Sequence, residues 1–204
     1  MQNAPLVIPR QRRPWVQAGT AERGETADTA PVRLLLRHAD AGVRAEWVGP
    51  EEWRGLSGLG RLQAEELVAR LRGLPLVRVL SSPSLRCRQT VVPVARALAV
   101  DVEPRRELAD DADPVRLIRL LEDPETDGAV LCTHRETLEA LFAHLARKDT
   151  VIPDSDPPME KAAAWLLRGV VANGANGANG ASVQLRYLPA RHSAGQRRRN
   201  PPVH

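Results

Sequence analysis

Two histidines and two arginines in this chain have the types and spacing to handle a phosphoryl group. Arg37-His38 follows the apolar run LLL. Arg86 follows a second apolar stretch that ends at Ser82, with Pro83 marking a turn between them. His134 follows VLCT. A guanidinium fork binds phosphate oxygens through two hydrogen bonds at once. A neutral imidazole can attack phosphorus and form a covalent phosphohistidine. The transferring group spreads its charge over three equatorial oxygens, so cations already in place stabilise the transition state. The set suits a phosphate monoester or a phosphoramidate.

Such residues need elements that bring them together. PVRLLLR (31–37), VRVLSS (77–82) and GAVLCT (128–133) are short apolar runs that read as buried strands, and VDVEP (100–104) as a shorter one. Ser57 can cap a helix from about Gly58 to Leu71, with Leu59, Leu62, Leu67 and Leu71 as its apolar face. A second helix covers 84–99, interrupted or bent near Pro93. Asp113-Pro114 opens a third, since proline suits a first turn, and Arg135 to Ala146 forms a fourth. AAAWLLRGV (162–170) and ASVQLRYL (181–188) are strands flanking ANGANGANG, which reads as an expanded hairpin loop. Strands alternating with helices predict a three-layer α/β/α sandwich, with a mostly parallel sheet and an antiparallel edge strand. Ligands in such sheets bind outside the carboxyl ends of the strands. Connectivity alone then gathers Arg37, His38, Arg86 and His134 on one rim.

Charge distribution narrows the choice of partner. The net charge is +4, but residues 1–30 carry four Arg and three acids, and 189–204 carry four Arg and no acid. The intervening 31–188 is close to neutral, so the basicity lies in the tail and argues against a nucleic-acid surface. Residues 1–30 lack periodicity and read as a mobile N-terminal extension, and 189–204 as a basic disordered tail. Cys87 and Cys132 have no metal-site spacing and read as reduced, buried thiols. No apolar run is long enough for a membrane span, and the N-terminus has no apolar signal segment, so a cytoplasmic location is expected. His38, Asp40 and His134 as a metal site would leave two cation-repelling arginines unused; no metal or cofactor is expected.

At this point the chain resembles the histidine phosphatase superfamily, the phosphoglycerate mutase-like proteins with an RHG signature. RHADAG is similar to the first signature, LSGLGRLQAEEL (56–67) to its LTxxGxxQA helix, VLSSPSLRCRQT (79–90) to its SSPxxRxxQT element, and CTHRE (132–136) to the second catalytic histidine. The four occur in family order, and the resemblance covers about 31–188. It implies that His38 is the nucleophile, that Arg37 and Arg86 bind phosphate, and that His134 stabilises the transferring phosphoryl. It also implies that Glu107, in RRELAD, is the proton donor. The compact SixA-type phosphohistidine phosphatases are most similar, since the stretch between Arg86 and His134 has no room for a cap domain. Ala39 departs from the Gly of RHG, and Thr133 from the usual small residue before the second histidine. Arg44 stands where the mutases have Asn, and can add a phosphate contact.

The expected function is therefore a metal-independent phosphatase acting through a phosphohistidine on His38. Its substrate would be a phosphorylated small molecule or a phosphohistidine protein. The alternatives are a non-catalytic phospho-ligand binder and a phosphomutase. A mutase needs a closed pocket that excludes water.

Overall fold

The structure, a computed structural model, describes residues 32–146, 159–169 and 184–190. The expected N-terminal extension, the 149–158 loop, the ANGANGANG repeat and the basic tail from residue 191 on lie outside the described residues.

Four strands run parallel: β1 (Val32–Arg37), β2 (Arg78–Ser81), β3 (Val102–Pro104) and β4 (Ala129–Thr133). Two more, β5 (Ala164–Arg168) and β6 (Gln184–Leu188), form an antiparallel pair, and β5 lies antiparallel against β1. The order is β3-β2-β4-β1-β5-β6. β6 takes the expected antiparallel edge position, and β5 is a second antiparallel strand inside it.

Alternate side chains divide the core into two layers. Leu34, Leu36, Val79 and Val130 pack with residues of α1 (Gly58–Arg70) and α2 (Leu85–Leu98) on one face. Leu35, Leu80, Leu131 and Trp165 pack with α3 (Pro114–Glu122) and α4 (Arg135–Ala146) on the other. The result is the expected α/β/α sandwich. Asp113 caps α3 by accepting from the Val115 amide, ahead of Pro114 in the first turn. Pro93 does not interrupt α2, which is continuous to Leu98. Val91, Val94, Ala95 and Leu98 are buried around the proline, and that packing holds the helix across the missing donor.

The face of α1 differs from the leucine stripe read in the sequence. Leu67 and Leu71 are buried as expected, but Leu59 and Leu62 are exposed, and Gly60 and Ala64 take their place on the buried face. Small residues let α1 approach the loop after β1. The Ser57 hydroxyl caps the helix at the Gly60 amide, 3.0 Å away. A Cβ on Gly60 would stand 1.9 Å from the Asp40 carbonyl oxygen. Gly60→Ala should therefore destabilise the fold by about 1–3 kcal/mol, the usual cost of overpacking, read as a lower urea midpoint. An unchanged midpoint would show that the helix-to-loop approach is not needed.

Candidate active site

Parallel pairing places Arg37 opposite Thr133, and the His38 amide extends the ladder by donating to the Thr133 carbonyl at 3.0 Å. The residues that follow β1 and β4 are thus neighbours. The imidazoles of His38 and His134 lie with centroids 5.4 Å apart and planes at 64°. His38 Nδ1 is 2.8 Å from the Ala39 carbonyl oxygen. A carbonyl only accepts, so that bond assigns the proton to Nδ1 and leaves the Nε2 lone pair free. His38 is only 7% exposed. Burial drives its pKa down to about 3; the Ala39 bond opposes this, and the charges of His134, Arg86 and Arg37 reinforce it. The ring is neutral at neutral pH.

His134 is held from the other side. Arg86 Nη2 is 3.1 Å from its Nδ1, and Ser82 Oγ is 2.8 Å from its Nε2. Arginine only donates, so Nδ1 accepts and Nε2 carries the proton to Ser82. Cys87 Sγ is also 3.4 Å from Nε2. Cys87 and Cys132 are both free and buried, as read from the sequence.

The cations sit among carboxylates. Arg86 donates through Nη1 to the Glu51 carbonyl at 2.9 Å, and that nitrogen is also 3.2 Å from the Glu51 carboxylate. Its Nη2 is 3.2 Å from the Asp110 carboxylate. Arg37 donates to the Met159 carbonyl. Burial first, then the charge of Arg135, lowers the Arg37 pKa from its ordinary value. The Nε atoms of Arg37 and Arg86 are buried and have no hydrogen-bond partner among the described residues. Arg44 stands at the mouth, its side chain 78% exposed and 3.8 Å from Glu51.

These side chains line an open cleft of about 400 Å³ with Arg37, His38, Arg44, Arg86 and His134 in its wall. Arg54, Glu51, Asp110, Asp111, Glu136 and Lys161 share that wall, and the sequence had assigned none of them a role there. Arg54 forks onto the Glu51 carboxylate at 3.0 and 2.6 Å and donates to the Ala41 carbonyl at 2.7 Å. Glu107 is not in the lining. It is half-buried in a 3-10 turn, Arg106–Leu108. Thr133 and Thr137 donate to the Leu108 and Ala109 carbonyls at 2.7 and 2.8 Å. With the loop tied there, Asp110 and Asp111 enter the cleft.

Other residues position the loop after His38. The Ala39 amide donates to Thr90 Oγ1 at 3.0 Å, and the Asp40 amide to Gln63 Oε1 at 2.8 Å. Gln89 Oε1 accepts from the Leu56 amide at 2.7 Å. Asp40 takes a hydrogen bond from Ser57 at 2.6 Å and meets Lys161 at 2.9 Å. Burial would raise its carboxyl, but these partners bring it down to about 2.

Residues 34–112 match the family model described as "Histidine phosphatase superfamily (branch 1)". An 8-oxo-(d)GTP phosphatase of Mycolicibacterium smegmatis is 30% identical over 145 residues, which are 69% of this chain and 44% of that protein. The chain thus spans less than half the length of that curated relative. Among solved structures, a putative phosphohistidine phosphatase SixA from Agrobacterium tumefaciens is 24% identical, with a TM-score of 0.57 over 78% of this chain and 98% of its own. A mycobacterial glucosyl-3-phosphoglycerate phosphatase complexed with VO3 is 17% identical, with a TM-score of 0.59 over 79% of this chain and 100% of its own. At those identities the likeness is one of fold.

The depressed His38 pKa makes stability depend on pH. Between pH 6.5 and about 3 the unfolded chain binds a proton that the native His38 refuses. That contribution is fully present above pH 6.5, declines as pH falls, and is gone below about 3. His38→Gln does not titrate there, so its urea midpoint should fall less between pH 7 and 4.5 than the wild type's. Equal slopes would refute a buried neutral His38.

Proposed function

We propose that this chain, a member of the histidine phosphatase superfamily by its family match and its fold, is a metal-independent phosphatase for a phosphate monoester or phosphohistidine. One observation carries the reading. His38 is neutral, with its proton committed to Ala39 and its Nε2 unprotonated, beside His134 and the Arg37 and Arg86 guanidiniums.

In this proposal Arg37 and Arg86 hold the phosphate, and Arg44 adds a contact at the mouth. The phosphate takes over the positions on Arg86 that Glu51 and Asp110 occupy at rest. His38 Nε2 attacks phosphorus, and the bond to the leaving oxygen or nitrogen breaks. His134 and the two arginines stabilise the charge on the equatorial oxygens. Water then attacks the phosphohistidine, releases inorganic phosphate and returns Nε2 to its free state. An open cleft admits that water, which supports hydrolysis over transfer back to the substrate. The sequence reading gave the proton donor as Glu107. Its place outside the cleft lining means that, in this reading, the leaving group takes its proton from solvent in the open cleft. The relatives named above include phosphatases named for phosphohistidine, for an oxidised guanine nucleotide and for a sugar-acid phosphate. A cytoplasmic location belongs to the same reading; no helix among the described residues is long and apolar enough to cross a membrane.

Wild-type protein should turn over p-nitrophenyl phosphate and yield an acid-labile phosphoenzyme on quenching. His38→Ala should lose both. Arg86→Ala should lower kcat/KM by roughly 10²–10³-fold, the usual effect of removing one charge-stabilising donor. A folded wild type without turnover or phosphoenzyme would instead mark a phospho-ligand binder. Glu107→Gln should cost far less than the roughly hundredfold expected of a working general acid; a loss that large would return it to the mechanism.

A further inference from the structure

A second pocket adjoins the catalytic cleft and has no part in the mechanism above. It has a volume of about 370 Å³ and shares Asp110 and Asp111 with the cleft. The two hollows lie on either side of the first turn of α2, which sends Arg86 into one and Arg88 into the other. The Trp53 indole, 56% exposed, lines the second pocket together with the apolar surfaces of Pro83 and Leu85. Arg88 and Arg106 also line it, and neither guanidinium forms an ion pair or hydrogen bond among the described residues.

We propose that this pocket is the leaving-group subsite and that it takes the base of a purine nucleotide whose phosphate lies at His38. The proposal rests on the phosphatase reading and names its substrate class. An exposed indole offers a face for stacking a flat heteroaromatic ring, an interaction that tolerates any base. The polar rim selects among rings. Arg88 and Arg106 supply forked donors, which suit the adjacent O6 and N7 acceptors of guanine. Asp110, Asp111 and Glu52 supply carboxylates, which accept from the ring and exocyclic N–H groups. A pocket with two cations and three acids gives no net pull on a second phosphate, which favours a neutral ring carrying both donors and acceptors. The shared wall gives continuity between the scissile phosphate and this ring.

The test compares guanosine monophosphate with glycerol phosphate as substrates of the full chain. Trp53→Ala should raise KM for the nucleotide by about tenfold, the scale of one lost stacking contact, and leave glycerol phosphate unchanged. Trp53→Phe should recover most of the loss. Equal changes for both substrates, or none for the nucleotide, would overturn the subsite and leave the phosphatase reading standing. Guanosine alone gives a readout without turnover. It should quench tryptophan emission saturably in the wild type and not in Trp53→Ala. Absence of that difference also overturns the proposal, even if no substrate is hydrolysed and the phosphatase reading fails by itself.

Discussion

The site depends first on register. β1, β4 and β2 run parallel with Arg37 opposite Thr133 and Ser81 opposite Cys132. Their chains therefore leave the sheet at one level, and His38, Ser82 and His134 emerge side by side. A slip of one residue in β1 would exchange the two faces of the strand. Leu34 and Leu36 would leave the α1–α2 layer, and His38 would turn away from His134. The alternating leucines that build the core are thus also what aims the imidazole.

Electrostatics supplies the second constraint. Guanidiniums at this depth are costly without counter-charges. Glu51 meets Arg54 and Arg86, and Asp110 meets the other amino group of Arg86. The fork of Arg86 is fixed in place before any ligand arrives. In the proposed reaction an incoming phosphate would bring the same sign of charge as those carboxylates, and would exchange one anionic partner for another instead of ordering a loose side chain. Burial does the opposite work at His38, where it removes charge and leaves a base.

Much of this was legible in the sequence. Apolar runs followed at once by Arg-His, Ser-Pro or Thr-His located the strands and the rim, because a strand's end is a local property. Ser57 and Asp113 announced their helices for the same reason. The faces of α1 were misread because Leu59 and Leu62 look like core while Gly60 and Ala64 do not. What decides is the closeness of the Asp40 carbonyl, a contact between distant parts of the chain. Arg54 and Glu51 lie in a stretch without periodicity, and their pairing with Arg86 is set only by folding. Gln63, Gln89, Thr90 and Ser82 stood inside the recognised motifs, yet their work of holding loops needed coordinates to see. Glu107 and Asp110 are three residues apart; only the path of the loop shows which one enters the cleft.

Thr133 and Thr137 hold the loop before α3 through its backbone carbonyls, not through its side chains. Such an anchorage is blind to what the loop carries. Asp111 and Ala112, which among the described residues neither pair with Arg86 nor cap α3, can change identity while the loop's base stays where it is. The loop beside the cleft can then drift under selection at those two positions with little cost to folding, which lets one architecture present unlike walls around the same rim.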